Sequence, residues 1–161
     1  MERSFSLYRA GQSSGALLDL SEFYQTNLKN IKNAFTNCSF TSLIIPENFA
    51  PNITQLSVEA EDGSFTSPFY GFLGNSIILQ GDIGSKNAEV VASGLFAGLS
   101  VASLDISNMH TSNFVDMSNM FLNNPAITSL NLSSFNTNNT KYMSNMFKDC
   151  KSLQHIISTV D

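Results

Sequence analysis

The chain has 161 residues, enough for one domain with a continuous core, and 42% of them are hydrophobic. Only 13% are charged, about half the usual share of ~25%, and Asn, Ser and Thr carry the remaining polarity. A net charge of −5, with Lys29 and Lys32 as the longest basic cluster, excludes a phosphate-binding surface, so nucleic acid is not an expected partner. No stretch reaches the ~18–20 apolar residues of a membrane span.

At the N-terminus, Met1 to Ala10 carries Arg3 and Arg9 but no apolar run behind them, so it does not read as a signal peptide. On these residues alone the expectation is a cytoplasmic protein, or one whose export signal lies elsewhere. Met1 to Gly15 is a candidate cap, with Phe5, Leu7 and Tyr8 to cover a core end.

From Leu18 onward the chain repeats itself. LDLSEFYQTNLKNIKNAF (Leu18 to Phe35) overlays LDISNMHTSNFVDMSNMF (Leu104 to Phe121) without a gap. Leu130 onward (LNLSSFNTNNTKYMSNMF) follows Leu104 at an offset of 26 residues, and Met117–Phe121 (MSNMF) matches Met143–Phe147 residue for residue. Leu79 to Phe96, ending in VVASGLF, is a weaker copy. Each copy is followed by an L-x-x-L-x-L-type segment: Phe40-Leu43-Ile45, Val101-Leu104-Ile106 and Ile127-Leu130-Leu132, with Leu153-Ile156 beginning another.

Two periodicities define the expected unit. Leu-x-Leu places both leucines on one side of a short strand and the residue between them on the other. Phe114, Met117, Met120 and Phe121 are spaced as one face of two helical turns, which predicts a short helix or turn. A single unit cannot bury both faces, whereas stacked units bury them in one column, with the strands parallel and ~4.8 Å apart. The expected fold is therefore α/β: a leucine-rich-repeat-like solenoid, with short parallel strands on one face and short helices or turns on the other. It forms a single domain over residues 1–161, with repeats starting near 18, 43, 56, 79, 104 and 130 and a truncated one at 156.

The middle is irregular. Leu43 to Leu56 is too short for a full coil of ~20–29 residues. Either a short distorted turn precedes a normal one, as Ile53-x-x-Leu56-x-Val58 suggests, or a single large turn carries an insertion. Glu59 to Ser67 is the expected protruding loop. Phe65, Phe69, Tyr70 and Phe72 near it are an anchor site or core beneath the insertion.

LDISNMHTSNFVDMSNMF and the ending F-x-x-C-x-x-L resemble the BspA-like leucine-rich-repeat family of surface proteins, in particular its repeat of ~26 residues. The resemblance covers Leu18 to Leu43 and Leu79 to Ile156, and SLIIPENF (Ser42 to Phe49) is similar to the shorter repeat of the same family. It implies a cell-surface or secreted protein used in adhesion or partner binding, without a catalytic site.

Candidate sites are few. Cys38 and Cys150 hold the same repeat position four or five turns apart, ~19–24 Å at strand spacing, too far for a disulfide. They read as buried small hydrophobes. His110 and His155 are the only histidines and occupy non-equivalent positions. They lack the three or four clustered ligands of a zinc site. No G-x-S-x-G or G-x-x-x-x-G-K-[ST] motif is present. Glu59, Glu61 and Asp62 form an acid pair or weak calcium loop on one reading and a solvated loop on the other. Phe23, Met109 and Phe135 share a repeat position and are expected to stack internally. No cofactor and no metal are expected, and no enzyme.

The expected binding surface is the outward side of the strands, at Asp19, Ser21, Ser57, Glu59, Gln80, Asp82, Asp105, Ser107, Asn131 and Ser133. Ile44 and Pro46 extend the same columns. The face is polar and lacks Trp, Tyr and Arg anchors, so a solvated consensus surface competes with a binding one. The expected function is a non-enzymatic module for protein binding or cell-surface adhesion. The alternative is an intracellular structural or scaffold repeat. The expected partners are a protein and, through an open C-terminal strand edge at Ile156 and Ile157, further copies of the chain.

Overall fold

In the computed structural model, which describes residues 16–23 and 28–159, nine short strands run in parallel coils and no α-helix occurs among the described residues. The candidate cap, Met1 to Gly15, lies outside the described residues. The front sheet joins β1 (Leu17–Asp19), β2 (Ser42–Ile45), β4 (Ser76–Leu79) and β6 (Ser103–Asp105) in that order. Further along the same face β8 (Ser129–Asn131) lies beside β6 and pairs with β9 (His155–Ile157). A second sheet, β3 (Gln55–Ser57), β5 (Val90–Ala92) and β7 (Phe114–Asp116), forms another side of the coils.

The front register follows the repeat. Leu18 lies against Leu43, Leu43 against Ile77, and Ile77 against Leu104, while Leu130 lies against Ile156. Alternation then buries a second column of Leu20, Ile45, Leu79, Ile106 and Leu132. Two expectations shift. Ile77, not Leu79, is the partner of Leu104. Leu56 does not start a front-face repeat, because β3 joins the second sheet. Ser42 and Ser76, 34 residues apart, therefore face each other across adjacent front strands, and the irregular middle is one large coil. Its insertion is a short antiparallel excursion closed by a Glu59–Phe65 bridge.

The helix expected at Phe114–Phe121 is replaced by strand β7 followed by successive turns. The cause is visible in the backbone. Two residues before the repeat phenylalanine, Asn33, Gly94, Asn119 and Asn145 have φ between 55° and 64°. Two residues after it, Asn37, Gly71, Gly98, Asn123 and Asp149 have φ between 56° and 71°. A left-handed residue interrupts an α-helix, and Asn, Asp and Gly are the residues that occupy this region at least cost. The MSNMF block is thus a sequence of tight turns.

Those turns carry their own ladder. Gly94, Phe96 and Gly98 donate backbone N–H groups to the carbonyls of Ser118, Met120 and Leu122. Met117, Asn119, Phe121 and Asn123 donate in turn to Tyr142, Ser144, Met146 and Lys148. Beneath it, Phe35, Phe69, Phe96, Phe121 and Phe147 stack at ring separations of 5.5–5.8 Å, all within 16° of parallel. This column crosses every coil. Phe69 and Phe72 are fully buried, so that part of the aromatic run is core rather than an exposed anchor. Met109 is buried, and Phe23 and Phe135 are half-buried against the same core.

Three residues beyond the column, Asn124 replaces the apolar side chains of the other coils and is fully buried. Its Oδ1 accepts the Leu99 N–H and its Nδ2 donates to the Phe96 carbonyl, both at 2.8 Å, pinning one coil to the previous one. Cys150 occupies the same place one coil on, and its thiol donates to the Phe121 carbonyl at 2.9 Å. Neither Cys38 nor Cys150 is in a disulfide. Burial pushes the Cys38 thiol up to about 11 and raises that of Cys150. In the native protein at pH 8, a thiol reagent is expected to modify Cys150 slowly and leave Cys38 untouched, with both reacting at once in denaturant. A disulfide that survives denaturation would contradict the stack.

Candidate functional site

Front-face side chains are arranged by the Leu-x-Leu alternation and by the turn that ends each strand. The column between the buried leucines runs Asp19, Ile44, Ile78, Asp105, Asn131 and Ile157, as the strand registers require. Asp19 and Asp105 are exposed, and Asn131 is half-buried. Ser21, Gln80, Ser107 and Ser133 lie two residues further along.

The polar consensus residues are engaged locally. Asp19 Oδ1 accepts the Ser21 N–H at 2.8 Å and also the Ser21 hydroxyl. Asp105 Oδ1 accepts the Ser107 N–H at 3.1 Å and its hydroxyl at 2.7 Å. Asn131 Oδ1 accepts the Ser133 N–H at 3.1 Å. These are Asx turns, in which a short side chain substitutes for a backbone acceptor as the chain leaves a strand. The Ser21 hydroxyl and then its N–H hold the Asp19 carboxyl below its ordinary range. Asp116 and Ser118 repeat the motif on the second sheet. The Asp-x-Ser pairs therefore shape each coil, and what the face offers a partner is their outer edges together with the half-buried Ile44 and Ile78 between them.

Two predicted residues sit elsewhere. Ser57 is 1% exposed and belongs to the second sheet, so it cannot touch a partner; its hydroxyl is buried without a protein partner among the described residues. The strand signature at Leu56 placed it outward, but the bulge in the β3–β5 pairing buries both Leu56 and Ser57. Glu59 is exposed at the base of the insertion, 3.4 Å from the Asn119 amide. Asp62 caps the insertion turn through the Ser64 hydroxyl and N–H, and no group of three metal-ligating side chains forms among the described residues.

Asp82 departs furthest from expectation. It lies at the corner beyond β4, not in a column with Ser107, because the register aligns Ile78, not Gln80, with Asp105. Its Oδ1 accepts both the backbone N–H of His110 at 2.8 Å and, at 3.0 Å, the His110 Nδ1. Its Oδ2 lies 3.0 Å from Lys86 Nζ. Asn113 reaches back one coil to the carbonyls of Ser85 and Lys86. The result is a polar cleft of about 300 Å³ including Ser112 and Gly84. Sequence reasoning missed this cluster because Asp82 and His110 are 28 residues apart and share no repeat position. Stacking of successive coils brings them together.

Burial raises the Asp82 carboxyl, but the His110 N–H, Lys86 and the His110 ring outweigh it, and the group ends below its ordinary value of 3.8. A carboxylate with a depressed folded pKa stabilises the fold above the unfolded pKa and loses that contribution as pH falls through the folded value. Stability is thus expected to decline below about pH 4, and Asp82→Asn to flatten that part of the acid curve while lowering stability at neutral pH. Thermal melts of both proteins between about pH 6 and 2 read this, and parallel curves would show that Asp82 plays no part.

Among the described residues no helix is long and apolar enough to cross a membrane. Residues 72–161, more than half of the chain, match the family model described as Mycoplasma protein of unknown function, DUF285. No curated protein and no solved structure gives a significant match.

Proposed function

The chain belongs to the Mycoplasma family of unknown function DUF285, and we propose that it works as a non-enzymatic repeat module that binds a protein partner at the cell surface, in the manner of BspA-like adhesion repeats. The observation that carries this reading is the front face: parallel strands in register from β1 to β6, continued by β8 and β9, present aligned columns of outward side chains across successive coils. Such a ruled surface suits an extended contact with another macromolecule. Its centre, Ile44 and Ile78, is apolar and half-buried, while Asp19 and Asp105 flank it. An apolar centre with a polar rim is the usual anatomy of a protein interface. The repeat likeness in LDISNMHTSNFVDMSNMF supports the surface-protein assignment.

The test keeps the turns intact. Gln80, Ser103 and Ser129 are exposed on the front face and outside the Asx pairs. Gln80→Lys and the pair Ser103→Lys and Ser129→Lys are expected to leave the melting temperature unchanged and to reduce capture of a host-surface protein by tenfold or more. Capture undiminished in both variants would show that the front face is not the binding surface.

A further inference from the structure

The outward column of the front sheet has a charge pattern of its own. Across β1, β2, β4 and β6 it reads Asp19, Ile44, Ile78 and Asp105, one residue from each neighbouring strand. Asp19 and Asp105 are exposed, and the two isoleucines between them are half-buried. Each carboxylate closes its Asx turn through Oδ1. Its Oδ2 accepts no hydrogen bond among the described residues, so a negative charge stays available to a partner at each end of the apolar pair. Among the described residues neither this column nor the ones beside it contain a Lys or Arg. Glu22 and Glu47, three residues beyond Asp19 and Ile44, are exposed where the chain leaves β1 and β2. Lys86, at the corner beyond β4, lies 3.0 Å from Asp82 and is neutralised there. The face is acidic and is complemented by a basic occupant.

Spacing selects the shape of that occupant. Neighbouring strands lie about 4.8 Å apart, so three strand steps separate the two aspartates by about 14 Å at the backbone. An extended polypeptide advances about 3.3 Å per residue and turns alternate side chains to one side, which puts residues i and i+4 about 13 Å apart on the same face. Laid along the column, across the strands, it sets one side chain over each aspartate and the one at i+2 over the seam between Ile44 and Ile78. A helix does not match. At about 1.5 Å per residue it returns to the same face after 7 or 11 residues, about 10 or 16 Å on.

We propose that the front column docks an extended polypeptide segment of the pattern basic-x-apolar-x-basic, running along the stack. Its two cationic side chains pair with Asp19 and Asp105, and its apolar side chain packs on Ile44 and Ile78. This rests on reading the front face as the binding surface and gives that surface the chemistry of its ligand.

The probe is a blocked seven-residue peptide of threonines with Arg at its second and sixth positions and Val at its fourth. It is titrated into the full chain at low salt and followed by NMR at the Ile44 and Ile78 methyls. Saturable shifts are expected, with a Kd of about 1 mM or tighter. In a chain carrying Asp19→Asn and Asp105→Asn the amides keep the turns, as Asn131 does with Ser133, while the charges are gone. That chain is expected to melt at the native temperature and to bind the peptide about tenfold more weakly. Moving the second Arg of the peptide to its fifth position turns it to the opposite side of the strand, and is expected to weaken binding several-fold. Absence of saturable shifts at the two methyls would overturn the proposal. So would equal affinity for the shifted peptide or for the doubly substituted chain, which would reduce the binding to unspecific charge attraction. If the peptide fails to bind while Gln80→Lys and the Ser103→Lys, Ser129→Lys pair still lose host-protein capture, the front face remains the binding surface and only this ligand pattern falls.

Discussion

Phe96→Ala is expected to cost about 3–5 kcal/mol, the range for removing a fully buried aromatic ring from a core that cannot close over the gap. Phe96 is 0% exposed and stacked on both faces, 5.5 Å from Phe69 and 5.7 Å from Phe121. Its backbone N–H is tied to Met120, which prevents the coil from collapsing into the vacancy. In a solenoid each coil is supported mainly by its neighbours, so a gap at the centre of the column also uncouples the coils on either side. Phe147→Ala makes the comparison. That ring is half-buried and stacked on Phe121, and its truncation is expected to cost less than half as much. Urea unfolding followed by far-ultraviolet circular dichroism reads both. A loss for Phe96→Ala no larger than that for Phe147→Ala would show that the aromatic column is incidental to stability.

Gly94→Ala is expected to destabilise by about 2–5 kcal/mol, although it adds one methyl group. The backbone at Gly94 has φ +64°, where an L-residue costs roughly 1–2 kcal/mol. A Cβ there would also overlap the ring of Phe65, which is 3% exposed and cannot move without disturbing the insertion. Overpacking of this kind adds about 1–3 kcal/mol. One coil on, the equivalent residue is Asn119, with φ 58°. Asn119→Gly places the most tolerant residue in the same left-handed conformation and is expected to change stability by less than about 1 kcal/mol in either direction. The contrast separates backbone conformation from composition. If Gly94→Ala melts at the same temperature as the native chain, neither the left-handed turn nor the Phe65 contact is as described.

The parts of the fold legible in the sequence are those that depend on alternation alone. Leu18, Leu43, Leu104 and Leu130 lie on the front face because Leu-x-Leu has one physical solution in a stack of short strands. The turn block was not legible as such, since Phe114, Met117, Met120 and Phe121 have a spacing common to a helix and to tight turns. The deciding signal was Asn119 and Asn123 recurring where an earlier copy has Gly94 and Gly98, an exchange that backbone conformation explains and helix propensity does not. Leu56 carried a strand signature and is in a strand, but the signature does not say which sheet a strand joins. Ser57 was misplaced for the same reason. The expected front-face residues were half legible. Asp19, Asp105 and Asn131 lie in one column, yet their side chains close turns on Ser21, Ser107 and Ser133, a local use that spacing alone did not reveal. Asp82 and His110 meet only because one coil lies on the next.

The one-way ladder on the turn face has an electrostatic consequence. In the parallel sheets successive peptide groups point alternately up and down the stack and their dipoles largely cancel. In the turn blocks the linking peptides at Gly94, Phe96 and Gly98, then at Asn119, Phe121 and Asn123, all point their N–H groups the same way. Each contributes about 3.5 D, and aligned peptides add as they do along a helix. The solenoid is therefore polarised along its length without using a single charged side chain. The dipole runs along the stack, positive in the direction from β1 toward β9.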